Sequence, residues 1–174
     1  MAQIVKSKPA GPTDNSQITA FEEHIGHQLP EDYRQFLLEH NGGQPDPDAF
    51  TLRMDDWEEE NLVMCFFPNR ELSLGAVEIE EFEELRTWPL HCAWDDLRQD
   101  LVNLYEKELD EPVLPIGTDG SSNYFCIVLD GDRKGSILFL EHEMAETVLL
   151  GDSFTSFLAS LRPRERSDYA PDFG

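Results

Sequence analysis

The sequence predicts an α+β fold, a single domain built on a largely antiparallel central sheet, and three observations carry the prediction. An N-terminal helix pair is readable over 17–25 and 30–40, each segment with one apolar face. Two runs at 123–129 and 136–141 are apolar throughout, as strands covered on both faces are. Helical patterns then recur in the middle and at the end of the chain, but they do not alternate with strands as βαβ units would.

The elements follow in order. Residues 1–16, with Pro9, Gly11 and Pro12, read as a flexible arm. The first helix, 17–25, buries Ile18, Phe21 and Ile25. The second has both ends marked. Pro30 suits a first helical turn, and Glu31 and Asp32 place negative charge at the positive end of the helix dipole. Tyr33, Phe36, Leu37 and His40 fall on one face, and Asn41, Gly42 and Gly43 tolerate the left-handed backbone that ends a helix. Residues 44–48, with Pro45 and Pro47, make an extended or turning linker. Residues 50–54 and 62–67 read as strands joined by the acidic stretch 55–60, and 80–87 as a helical turn or two. A middle helix over 94–109 shows Trp94, Leu97, Leu101 and Leu104 in one stripe. The two apolar runs form a hairpin across residues 130–135, residues 147–150 add a strand, and a last helix over 154–161 buries Phe154, Phe157, Leu158 and Leu161. The domain thus spans 17–161, and 162–174 is a polar tail.

A resemblance accompanies these elements. Gly26, then Leu29 and Pro30, the acidic Tyr-containing helix and Asn41-Gly42-Gly43 resemble the SMI1/KNR4 (SUKH) superfamily. A second block matches at Leu114, Pro115, Ile116 and Gly117, then Asp119, Gly120 and 124–129, where the family resemblance implies a glycine-containing loop leading into a central strand. The strand after it resembles 135–140, and 50–112 matches in outline. The resemblance implies a non-catalytic protein-binding domain. Bacterial members of this type resemble immunity proteins, which neutralise a secreted toxin, often a nuclease, of a polymorphic toxin system. The alternative it implies is a regulatory or scaffold module, as in fungal members linked to cell-wall synthesis and signalling.

Bulk properties bound the function from another side. The chain of 174 residues carries 13 basic against 36 acidic residues, a formal net charge of −23. Such a field repels nucleic acid and anionic membranes, and it suits a basic protein partner. The longest apolar runs are far short of the roughly 20 residues a membrane span needs, so a soluble cytoplasmic protein is expected. Three cysteines without paired spacing give neither a disulfide framework nor a zinc pattern; Cys65 and Cys126 read as core residues, and Cys92 is the one to test for reactivity.

The acids are concentrated. Asp55, Asp56, Trp57, Glu58, Glu59 and Glu60 put five carboxylates around one tryptophan, and Glu78, Glu80, Glu81, Glu83 and Glu84 form a second cluster. Carboxylate runs commonly make a solvated face, but a large aromatic ringed by charge is what interface anchors are made of. These residues are the candidate partner-binding site.

No catalytic residue, metal site or cofactor is expected. Asp130 to Glu141 matches a calcium loop at several positions, yet Lys134 stands where an oxygen ligand is needed and strand-like segments flank it. Ser153 in Gly151-Asp152-Ser153 resembles a hydrolase nucleophile, but the last histidine, His142, precedes it; Asp152 or Ser153 as a helix cap accounts for the same residues. Residues 117–122 form a glycine loop without the lysine of a phosphate-binding loop. His91 and Cys92 are consecutive, so their side chains diverge. Glu141, His142 and Glu143 read as a solvated strand end.

Overall fold

The computed structural model describes residues 2–5, 11–54, 57–70, 88–103, 109, 111–121, 123–143 and 146–165, with backbone alone at 54, 57 and 100–103. Among these residues the chain is a mixed α+β fold of four helices, a five-stranded antiparallel sheet and two small two-stranded ribbons. The expected helical turns over 80–87 lie outside the described residues.

Three residues of the supposed arm are ordered as a strand: β1 (Gln3–Val5) pairs antiparallel with β2 (Gln44–Asp46). Helix α1 (Asn15–Ile25) starts two residues before the predicted boundary, because Asp14 and Gln17 form a reciprocal capping box. It stops at Gly26, whose φ of 75° is left-handed. Helix α2 (Glu31–His40) follows, with Pro30 as its extended N-cap rather than its first helical residue. Tyr33, Phe36 and Leu37 are its buried face.

The end of α2 fixes the next crossing. Asn41 is left-handed (φ 43°) and almost fully buried. Its Nδ2 donates to the carbonyls of Gly11 (2.8 Å) and Asn69 (3.2 Å), and its Oδ1 accepts the Asn69 N–H at 2.8 Å. At Gly42 (φ 84°) a Cβ would lie 2.8 Å from the Phe66 carbonyl oxygen, so only glycine fits.

The next segment departs from expectation. β3 (Ala49–Met54) and β4 (Trp57–Leu62) form an antiparallel ribbon, and β5 is only Cys65–Phe66. The acidic stretch is therefore mostly a strand, not a joining loop, and the apolar run 62–67 is split between two strands. Helix α3 (Leu90–Asn103) begins four residues before the predicted start.

The main sheet runs in the order β5, β6 (Val113–Thr118), β7 (Tyr124–Val128), β8 (Ile137–Glu141) and β9 (Glu146–Gly151). Both of its faces are covered, which is why β7 and β8 are apolar on both sides. One face, with Phe125, Ile127, Ile137 and Phe139, belongs to the main core shared with α1, α2 and the last helix, α4 (Phe154–Ser160). The other, with Cys126, Val128, Leu138 and Leu140, packs with Leu97 of α3. Aromatic edges interlock in the main core: Phe36 meets Phe66 at 5.4 Å and Phe154 at 4.7 Å, and Phe125 meets Phe139 and Phe157, both at 5.7 Å. Tyr33 is fully buried there, and its hydroxyl has no hydrogen-bond partner among the described residues.

Candidate functional site

The β3–β4 ribbon carries the part of the acidic cluster that the structure describes. Thr51 pairs with Glu60 and Arg53 with Glu58 across the ladder, and Leu52 pairs with Glu59. Side chains alternate along a strand, so Glu58 and Glu60 share one face and Glu59 takes the other. Trp57 pairs with Met54 at the end of the ladder. The side chain of Trp57, and Asp55, Asp56, Glu78, Glu80, Glu81, Glu83 and Glu84, lie outside the described residues.

Two of the three described carboxylates are already engaged. Arg53 Nε donates to Glu58 at 3.0 Å, an exposed pair that contributes little to stability. Glu60 is held more firmly by residues 162–165, part of the stretch that the sequence reads as a polar tail. Arg162 bridges to Ala49 by backbone hydrogen bonds in both directions (3.1 and 2.9 Å), extending the ribbon. Its guanidinium donates to Glu60 and to Thr51 Oγ1 (3.1 Å). Both Glu60 oxygens accept the Glu165 N–H, at 3.1 and 2.9 Å. That amide and the two arginines hold the Glu60 carboxyl below its ordinary value. Arg164 completes the strap with a two-pronged contact to Asp48 at 3.1 and 2.7 Å. Glu59, by contrast, is exposed and makes no ion pair among the described residues.

Strand propensity alone disfavours a row of glutamates. The two arginines neutralise alternate carboxylates on one face of the ribbon, and that compensation lets the acidic stretch extend as β4. Arg53 is near enough in sequence to suggest itself. Arg162 is not, and no local signal connects it to Glu60.

The remaining titratable groups are placed as structure, not as chemistry. Residues 130–136 turn between β7 and β8, strands where a calcium loop has helices; Gly131 and Gly135 are left-handed, and Arg133 pairs with Glu111 at 2.6 Å. Ser153 is the N-cap of α4: its Oγ accepts the Ser156 N–H (3.0 Å) while Ser156 Oγ accepts the Ser153 N–H (3.1 Å). Burial, with Asp96 and Asp95 behind it, pushes the Cys92 thiol up, the reverse of an activated thiolate. Asp119 Oδ1 accepts the Ser121 N–H at 2.7 Å, and its Oδ2 accepts from the side chains of Asn123 (2.8 Å) and Asn61 (3.3 Å); it organises the β6–β7 turn. His142 Nδ1 lies 3.1 Å from Asn123 Oδ1. No group of three potential metal ligands occurs among the described residues. No helix among them is long and apolar enough to cross a membrane.

One feature of this region was not read from the sequence. An open groove of about 390 Å³ lies between β3, β9 and α4, lined by apolar Phe50, Val148, Leu150 and Phe157 and rimmed by Thr51, Arg53 and Arg162.

Comparison with known proteins matches a model of the SMI1 / KNR4 family (SUKH-1) to residues 12–160. The chain is also similar to the SPbeta prophage-derived uncharacterized protein YokK of Bacillus subtilis (strain 168), with 26% identity over 152 residues, covering 84% of this chain and 73% of that protein.

Proposed function

Because the chain belongs to the SMI1/KNR4 (SUKH-1) family, which includes immunity proteins, we propose that it is a non-catalytic immunity protein that binds and neutralises a cognate toxin of nuclease type. The net charge of −23 is the observation that carries the reading. A nuclease cleft is basic because it must hold a phosphate backbone, and a strongly acidic inhibitor complements it. Opposed fields speed association to about 10⁸ M⁻¹s⁻¹ or more at low salt. Speed matters for an inhibitor that acts in the cytoplasm, where its target would otherwise reach nucleic acid first.

The candidate contact surface includes β4, with Glu59 unpaired among the described residues and Trp57 at the start of the strand; Asp55, Asp56 and the Glu78–Glu84 cluster are candidates from the sequence. Glu58 and Glu60 serve chiefly to hold Arg53 and Arg162, so they shape this surface more than they bind.

The test is a titration. A toxin encoded by a neighbouring reading frame, the partner that this reading requires, is purified, and its activity is followed as the chain is added. A binding inhibitor abolishes activity at one mole per mole, and co-expression restores growth. Inactivation by a small fraction of an equivalent would mean turnover and sink the non-catalytic reading. Undiminished toxin activity at excess chain would sink the immunity reading itself.

A further inference from the structure

We propose that the groove along β9 is a docking site for an extended, basic segment of a protein partner; the charge of that partner rests on the reading above, but the groove itself does not. Among the described residues β9 pairs with β8 and with no other strand, so it closes the five-stranded sheet. β3 lies alongside without joining it in a ladder. Among the described residues the outward-facing N–H and C=O groups of β9 have no strand paired with them.

Natural edge strands are usually short, charged, bulged away or covered. β9 is six residues long and its central residues 147–150 are uncharged, with a single irregularity in its pairing, at Leu150. Leu149 is 49% exposed, and Val5 is the other large hydrophobic so placed among the described residues. Consecutive side chains of a strand point to opposite faces, yet Val148, Leu149 and Leu150 all line the groove. The pairing of β9 with β8 is irregular at Leu150, between the partners Leu149 and Gly151, and the groove runs past that stretch of the strand. Its lining includes Phe50 and Phe157, and on one side it meets β9, whose outer edge pairs with no strand among the described residues. An extended peptide meets both needs, through main-chain hydrogen bonds for affinity and an apolar side chain for the apolar lining.

The charges choose the occupant. Glu146 and Asp152 stand at the two ends of β9, both exposed and neither in an ion pair among the described residues. The two rim cations, Arg53 and Arg162, are already paired with Glu58 and Glu60, so they do not attract an acidic segment. A second copy of this chain would bring another −23 to the same place. A segment with basic residues flanking a short β-prone apolar stretch fits both ends and the middle.

The experiment uses the isolated chain and a blocked synthetic peptide, Lys-Val-Thr-Val-Thr-Lys, followed by two-dimensional amide NMR. Shifts confined to β9 and the facing residues of β3 and α4 are expected. Glu146→Lys should weaken binding at least tenfold, as should N-methylation of alternate peptide amides or glutamate in place of both lysines. Equal binding of the N-methylated peptide, shifts mapping elsewhere, or no shifts would overturn the proposal. Dimers in sedimentation at low salt that Glu146→Lys leaves intact and the peptide fails to dissociate would overturn it in favour of a second copy. Because no toxin is used, protection without peptide binding sinks only the groove, and peptide binding without protection sinks only the immunity reading.

Discussion

Asn41 and Asn69 are joined by two hydrogen bonds: the Asn41 side chain accepts the Asn69 N–H at 2.8 Å and donates to the Asn69 carbonyl at 3.2 Å. A side chain at the end of α2 thus does for residue 69 what a neighbouring strand would, none being paired with it among the described residues. Truncation to alanine strands a buried donor and two carbonyls, each costing about 1–3 kcal/mol. Asn41→Ala is therefore expected to lose about 3 kcal/mol or more in denaturant unfolding. Asn41→Gly should be less harmful by about 1 kcal/mol, since φ at this position is 43° and glycine removes that strain. Equal losses would mean the backbone conformation relaxes in the variants.

Tyr33 makes the opposite case. Its ring is packed against Phe154 at 5.1 Å, but its hydroxyl is buried without a partner among the described residues, and burial pushes its ionisation well up. Tyr33→Phe keeps the ring and removes the desolvated group. Stability should hold or rise, by up to about 1 kcal/mol. A loss of that size instead would show that the hydroxyl is bonded in solution.

Ser153 separates a cap from a nucleophile. Ser153→Ala removes the acceptor for the Ser156 N–H and should cost about 1 kcal/mol, read as a lower melting temperature. Hydrolysis of an activated ester by the native chain that vanishes in this variant would make Ser153 catalytic and refute the cap as its whole role.

The strap gives a pH dependence with a definite sign. Glu60 has its carboxyl lowered from 4.5 in the folded chain, first by the Glu165 N–H. A depressed folded value means that the carboxylate's contribution is present above the ordinary value and is lost as pH falls through the lowered one. The Glu165 amide resonance should therefore titrate with a midpoint below the ordinary carboxylate value. In Arg162→Ala the midpoint should rise toward the ordinary value. A midpoint at or above the ordinary value in the native chain would show that the strap is not closed on Glu60.

What could be read in advance follows from where each constraint resides. β7 and β8 were legible because a sheet covered on both sides demands unbroken apolar residues, and α2 because its ends are marked locally. β6 was not recognised as a strand, since Pro115 and Gly117 argue against one. Both are imposed by neighbours: Pro115 sits at the irregularity in its pairing with β7, and a Cβ on residue 117 would lie 2.5 Å from the Cys65 carbonyl oxygen. β4 reads as a loop for a related reason, its charges being matched by Arg53 on the paired strand and by Arg162 far along the sequence. Composition could point to an acidic surface. It could not show which carboxylates the chain uses itself, nor that β9 would end the sheet beside an open groove.

That division of carboxylates decides how the partner surface should be probed. Reversing Glu58, Glu59 and Glu60 together would confound binding with release of the strap, because Glu60 anchors Arg162 and Glu165. Glu59→Lys alone leaves every described ion pair intact and should be neutral for folding. Measured with the cognate toxin at low and moderate salt, it should slow association and flatten the salt dependence while leaving dissociation nearly unchanged. Trp57→Ala should do the reverse, speeding dissociation by tenfold or more, as loss of an aromatic anchor worth about 2 kcal/mol does. The two effects are kinetically distinct, so each variant is a control for the other. If both associate and dissociate like the native chain, the acidic ribbon is a solvated surface and the toxin is held elsewhere.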